Sequence, residues 1–177
     1  MEYPLAVLAA ILTLTWILAL PVDSSLLSTA SPSSLTIDGI ECERREHSDF
    51  HIHSHLDIFI NDEKSTIPSD IGIIPNTCLY WLHTHEDSGV IHIESPENRT
   101  FTLGQFFYIW GERLSNNQIF DNMVEDNKTL SVYINGEKVS DGTEYGQIPL
   151  GKYDEIAIVY GKPPESVPSR YHFPEGL

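Results

Sequence analysis

Residues 50–60 read Phe-His-Ile-His-Ser-His-Leu-Asp-Ile-Phe-Ile (FHIHSHLDIFI), and this stretch decides the predicted fold. Side chains of a strand alternate between two faces with a period of two. The odd-numbered positions from 51 to 57 are His51, His53, His55 and Asp57, whereas the even-numbered positions are almost wholly apolar. We therefore predict a strand that is buried on its even face and presents a ladder of imidazoles on the other.

Two further stretches repeat this arrangement. Residues 78–85 (CLYWLHTH) and 90–94 (VIHIE) each predict a strand, and the intervening turn predicts that the two form a hairpin. Each predicted strand has one apolar or aromatic face and one face with histidine or glutamate, and the polar residues are His83, His85, His92 and Glu94. All three strands thus offer nitrogen ligands on one side.

A helix is predicted over residues 103–114 (LGQFFYIWGERL), with Thr102 as its N-cap. Its apolar residues recur at intervals of three and four, which predicts that one face packs on the sheet. Further strands are predicted over 130–134, 137–139 and 154–160. The predicted class is α+β: a mixed or mainly antiparallel sheet with one main helix on its apolar face and the histidine ladder on the other.

The histidine ladder predicts a metal site, because neutral imidazole is the commonest metal ligand in proteins. Neighbours at i and i+2 lie about 6.6 Å apart along a strand, so three in a row span about 13 Å and one ion cannot collect all of them. The ladder therefore permits His51 with His53, or His53 with His55, or two ions. The remaining ligands would come from the other strands: His83, His85 and His92. Copper or zinc is the expected ion, and copper is preferred because an imidazole site binds Cu(II) most tightly.

Two carboxylates continue the histidine-bearing faces, Asp57 and Glu94. They are interpreted as ligands, as outer partners that orient an imidazole, or as a general base beside a metal-bound water. Three functions stay open at this point: a protein that binds or delivers a metal, a metal-dependent enzyme (a copper oxidoreductase or a zinc hydrolase or hydratase), and a structural domain whose histidine face binds no metal.

The overall charge excludes one class of partner. The chain has 177 residues with a formal net charge of −16, and only 10 residues are Lys or Arg. Phosphate binding needs a basic surface, so no nucleic-acid partner is expected.

The chain begins with a long apolar run. Residues 5–20 carry no charged side chain, and residues 1–22 are predicted to be a membrane anchor or a signal sequence that is cleaved. Residues 23–34 are predicted to be a flexible stalk, residues 35–161 a single metal-binding domain, and residues 162–177 a proline-rich extended tail. This layout predicts an extracytoplasmic protein that contacts the membrane through its N-terminal segment and allows a protein partner in the same membrane or envelope.

Cys42 and Cys78 are the two cysteines of the chain. An even pair in an exported protein usually forms a disulfide, which we predict here. The alternative is a copper thiolate formed with His83. It is disfavoured because Cys78 and His83 would face opposite sides of a regular strand.

The motifs HIHSHLDIFI, CLYWLHTHEDSGVIHIESP and FTLGQFFYIWGERL resemble a family of exported, histidine-rich prokaryotic proteins. The resemblance covers roughly residues 40–177. It implies that both histidine segments, Cys42 and Cys78 belong to one module, and it implies no activity.

Overall fold

The computed structural model describes residues 35–125 and 127–177, which are mostly β-structure with one short α-helix. The strands in chain order are β1 (Leu35–Ile37), β2 (Ile40–Glu43), β3 (Phe50–Ile60), β4 (Glu63–Ser65), β5 (Ile73–Ile74), β6 (Cys78–Tyr80), β7 (Leu82–His83), β8 (Val90–Ser95), β9 (Leu114–Ser115), β10 (Gln118–Ile119), β11 (Asn122–Met123), β12 (Leu130–Ile134), β13 (Glu137–Lys138) and β14 (Glu155–Tyr160). Helix α1 (Leu103–Trp110) lies between β8 and β9 in the sequence.

The largest sheet has seven strands and is built around β3. Six of its strands lie in the order β13-β12-β14-β3-β8-β7. The seventh, β4, pairs with the C-terminal end of β3, on the same edge of β3 as β8. β3 runs parallel to β14, and all other pairs in this sheet are antiparallel. β3 is 11 residues long because its alternating pattern continues from Phe50 to Ile60, which lets its first half pair with β8 and its second half with β14.

The alternation in β3 separates two faces of the main sheet. At the even positions, Leu56 and Ile58 are fully buried in the main hydrophobic core with Ile93 and Ile158 of the neighbouring strands, and Ile52 packs against it partly buried. The odd positions form the polar face, which is also largely buried and carries the histidines. The site therefore lies on a rigid central strand whose other side is anchored in the core.

The residues at the two ends of helix α1 determine where it begins and ends. The Thr102 hydroxyl accepts from the Gln105 backbone, and the Gln105 side chain accepts from the Thr102 backbone, which makes a capping box. Phe106 and Phe107 bury the helix against the core. The helix stops at Trp110, four residues before the predicted end, because Gly111 adopts a left-handed conformation at φ 81°.

The predicted α+β class is wrong, because the described residues form a mostly β fold with three sheets and a helix of only 8 residues. Besides the main sheet there is a four-stranded sheet, β1-β2-β6-β5, and a three-stranded sheet, β11-β10-β9. Most of their strands are two or three residues long. Strands this short show no measurable alternation, so the sequence indicated one sheet and a loop after the helix.

The predicted strand over residues 78–85 is divided between two sheets. β6 pairs with β2 in the four-stranded sheet, and after Trp81 the chain continues as β7 at the edge of the main sheet. Cys42 on β2 and Cys78 on β6 are joined by a disulfide across 36 positions of sequence. In the chain-entropy description, closing a loop of this length stabilises the folded state by about 3–4 kcal/mol.

The membrane-anchored localisation and the membrane contact are corrected. Across residues 35–125 and 127–177 there is no helix long and apolar enough to cross a bilayer. The predicted anchor or signal (1–22) and stalk (23–34) lie outside the described residues.

The residues after β14 lie against the polar face of the main sheet. Val167 packs beside Phe59, and the ring of Tyr171 stacks on His55 with 3.8 Å between ring centroids and 8° between planes. Part of the histidine face is thereby covered by the end of the chain. The predicted boundary between a domain over 35–161 and a tail over 162–177 stays a prediction.

Candidate metal centre

Strand register brings three histidines into one row across the main sheet. His53 on β3 is the cross-strand partner of His92 on β8, and His92 is the partner of His83 on β7. Directly paired residues of antiparallel strands project to the same face, with their Cβ atoms about 4.5–5.5 Å apart. His51 and Glu94 form the adjacent pair on β3 and β8. Five potential ligands thus meet on one patch of the sheet.

Four of these side chains place one atom each around a common point, and we call His51, His53, His92 and Glu94 the four-ligand group. His51 Nε2 lies 3.1 Å from His53 Nε2, which lies 3.2 Å from His92 Nδ1. His92 Nδ1 lies 3.3 Å from Glu94 Oε1, and that oxygen lies 3.0 Å from His51 Nε2. The contacts close into a ring of four atoms.

Hydrogen bonds alone do not explain this ring. An imidazole nitrogen carries either a hydrogen or a lone pair, and a carboxylate oxygen only accepts. The number of hydrogen bonds is largest when His51 Nε2 and His92 Nδ1 each carry a hydrogen. Each hydrogen can serve one contact, so at most two of the four contacts are hydrogen bonds. A cation at the centre would satisfy all four atoms together.

The spacing of the ring also matches coordination. Nitrogen and oxygen ligands lie about 2.0–2.1 Å from Zn²⁺, which places neighbouring ligand atoms of a tetrahedral site about 3.3 Å apart. The four contacts around the ring measure between 3.0 and 3.3 Å, and the atoms on opposite sides of the ring lie within 4.8 Å of each other, so the four atoms can share one four-coordinate ion. In addition, Glu94 Oε2 is buried without a hydrogen-bond partner among the described residues. This second carboxylate oxygen is available to the same ion.

Burial keeps two of the site histidines in the neutral, singly protonated form. It lowers the pKa of His53 to about 4, with the neighbouring His92 and His51 rings acting in the same direction. It also lowers the pKa of His83 to about 4, against the effect of the Tyr80 carbonyl. For Glu94, burial acts to raise the pKa, but the hydrogen bond from His92 and the nearby imidazoles outweigh it and lower the pKa. Both histidines therefore present lone pairs at neutral pH.

A second cluster lies beside the first, and we call His83, His85 and His92 the three-histidine group. His83 Nδ1 donates to the Tyr80 carbonyl at 2.8 Å, and His83 Nε2 lies 3.3 Å from His85 Nε2. His92 belongs to both groups. Glu46 Oε1 lies 3.3 Å from His85 Nε2 at the exposed edge.

The sequence-predicted ligand His55 is separated from both groups. His55 Nδ1 lies 2.8 Å from Glu155 Oε2, and His55 Nε2 lies 2.9 Å from the Ser88 carbonyl oxygen. Asp57 lies in the same cluster, where the Lys64 ammonium is 2.5 Å from its carboxylate. The ligand atoms of His55, Asp57 and Glu155 are close enough to hold a metal, but both His55 nitrogens are already hydrogen-bonded and Lys64 supplies a positive charge.

Sequence reasoning missed two members of these clusters. Glu155 is the cross-strand partner of His55 and is buried. It starts the otherwise apolar strand EIAIVY, and a charged residue in a buried strand was a signal for it. Glu46 lies outside every strand, so no periodic pattern could place it beside His85. The other two histidines lie elsewhere: His47 pairs with Glu43, and His172 is exposed.

Comparisons with known proteins add no relative. No protein-family model matches the chain, and neither the curated proteins nor the solved structures compared with it give a match. The resemblance to exported histidine-rich proteins therefore stays a prediction.

Without metal, the protein is expected to lose stability as the pH falls from 6.5 towards 4. In this window the unfolded chain protonates His83, whose ordinary pKa is 6.5, while the folded protein holds that pKa at about 4. The unfolded state binds more protons, so the free energy of unfolding rises with pH, by about 3 kcal/mol for this one residue. Urea unfolding in EDTA at pH 7.0, 5.5 and 4.5 measures this dependence. The variant His83→Gln should show a weaker dependence, and equal slopes for both proteins would contradict the prediction.

Proposed function

We propose that this protein binds or delivers a transition metal, with one copper or zinc ion held by the four-ligand group of His51, His53, His92 and Glu94. The observation that carries the proposal is the closed ring of four ligand atoms at 3.0 to 3.3 Å, which lacks the hydrogens to be a set of hydrogen bonds. Three imidazoles and one carboxylate are ligands that both Cu(II) and Zn(II) accept.

The form of the group supports binding or delivery more than catalysis at this position. Four protein ligands fill a four-coordinate metal site, whereas catalytic zinc sites have three protein ligands and leave one position open. His51 is 41% exposed, while Glu94 is 3% exposed. The buried ligands hold the ion, and the exposed His51 provides an edge through which an ion can enter or leave.

Copper is the preferred ion for two reasons. Affinity of a nitrogen and oxygen site for divalent metals rises to a maximum at Cu(II) and falls again at Zn(II). The Cys42–Cys78 disulfide is compatible with an oxidising, extracytoplasmic compartment, where Cu(II) rather than Cu(I) would be the available form. An export route is likewise expected from the resemblance to exported proteins.

Metal analysis of the untagged protein tests the proposal. We expect about one copper or zinc ion per chain in the four-ligand group, and loss of that ion in the variant His53→Ala. His53 is the informative ligand because its nitrogen contacts two other ligand nitrogens and its side chain is buried.

The matched control is His172→Ala, which removes an exposed histidine outside both groups. It should bind metal as the parent does. Absence of metal from the parent after incubation with Cu(II) or Zn(II) would reject the proposal and leave a structural domain. A folded His53→Ala protein that binds as many metal ions as the parent would reject the assigned ligands.

A further inference from the structure

The three-histidine group has the features of a ligand set in its own right. His83 donates its Nδ1–H to the Tyr80 carbonyl, so its Nε2 carries the lone pair. A hydrogen bond from the second ring nitrogen to a backbone carbonyl is how proteins usually orient a metal-binding histidine. His83 is completely buried, and its Nε2 lies 3.3 Å from His85 Nε2, which is the spacing expected of two ligands on one ion.

His92 connects this group to the four-ligand group. Its Nδ1 contacts His53 Nε2 and Glu94 Oε1, so that nitrogen is committed to the first ion. One nitrogen cannot bind two ions, but a deprotonated imidazole has two in-plane lone pairs on opposite sides of the ring. The rings of His83 and His85 lie next to that of His92, with centroid distances of 5.3 and 4.6 Å.

We propose that His83, His85 and His92 form a second metal position, and that His92 bridges the two ions as an imidazolate, with its remaining N–H proton released to water as the second metal–nitrogen bond forms. The inference rests on the proposed function of the four-ligand group and makes the centre dinuclear. A second cation next to the first is electrostatically costly, and the negative charge of the imidazolate and of Glu94 reduces that cost.

The second position differs from the first in being open. Three histidine nitrogens leave a fourth position for an exchangeable ligand. His85 is 40% exposed and lines a surface cavity of about 450 Å³ together with Glu46 and Arg44. Glu46 Oε1 lies 3.3 Å from His85 Nε2 and is also close enough to His83 to share an ion with it, and its side chain is 53% exposed, so this carboxylate can take the fourth position and leave it again. Water or a small anion is the class of ligand that would exchange with the Glu46 carboxylate at this position.

Copper loading of the full untagged chain tests the bridge. Protein stripped with EDTA is incubated with excess Cu(II) and desalted, and its copper is measured by elemental analysis and by integrated electron paramagnetic resonance. We expect about two copper ions per chain, with much of the resonance lost because an imidazolate couples the two spins. In His85→Ala we expect about one copper ion per chain, with full resonance intensity.

The alternative outcomes separate this inference from the proposed function. One copper ion in the parent would overturn the second position and leave the four-ligand group intact. Two ions with full resonance intensity would place the second ion away from His92 and overturn the bridge. No copper at all would reject both proposals. His172→Ala is the control, and loss of the second ion in that variant would assign it to the chain terminus and overturn the inference.

Discussion

Replacing His92 with alanine is expected to weaken metal binding more than any other single substitution. His92 contacts two other members of the four-ligand group and is also part of the three-histidine group. Binding free energies of about 10–16 kcal/mol for four-ligand zinc sites correspond to about 2.5–4 kcal/mol per ligand, or about 70–900-fold in affinity. We therefore expect His92→Ala to lower Cu(II) affinity by about that factor, measured by competition with a chelator of known affinity.

The interpretation of this variant depends on an intact fold. His92 is 9% exposed on the polar face, opposite the main core, so its removal should leave the β-sheet spectrum and the disulfide unchanged. His92→Gln keeps most of the side-chain volume without an imidazole and should lose as much affinity as His92→Ala. An unchanged affinity in either folded variant would show that the metal is held elsewhere.

Replacing His55 with alanine is expected to have the opposite profile, with a large loss of stability and little change in metal affinity. His55 and Glu155 are 2% and 1% exposed, and they contact each other at 2.8 Å. Removing one partner of a buried pair usually costs about 3–5 kcal/mol, because the other is left desolvated. Glu155 Oε1 already has no hydrogen-bond partner among the described residues, and burial raises the pKa of this carboxyl despite the nearby His55.

Urea unfolding and Cu(II) competition on the same preparation measure both quantities. The double variant His55→Ala, Glu155→Ala should lose less stability than the sum of the two single variants, because no unpaired carboxyl remains. Where alanine prevents folding, His55→Gln retains a donor and provides the measurement. A stable His55→Ala protein that has lost its metal would restore His55 to the ligand set.

The contrast between His53 and His55 shows how far periodicity reaches. The period of two correctly indicated that both residues share a face with His51 and Asp57, since that follows from the backbone of a strand. It could not show that His53 pairs with His92 on the neighbouring strand β8, whereas His55 pairs with Glu155 on the neighbouring strand β14. Those partners come from positions 39 and 100 residues away, and the register that selects them depends on the whole sheet.

The error in fold class has a related cause. The 11-residue strand β3 and the capping box of α1 are local features, and each could be recognised within a window of sequence. The four-stranded and three-stranded sheets consist of segments of two to four residues. Such segments become strands only when partners are already in place, because one or two hydrogen-bonded pairs do not compensate the loss of backbone entropy.

The sequence by itself determined which atoms are available for ligation and on which side of each strand they project. Alternation does this through the covalent geometry of the backbone. The pairing of Cys42 with Cys78 was predicted because they are the two cysteines of a chain that is expected to be exported. Only the tertiary structure decided which imidazoles converge, because convergence depends on strand order and register between distant segments. The same packing places His92 in both groups, pairs His55 with Glu155 and brings Glu46 to the edge of the site.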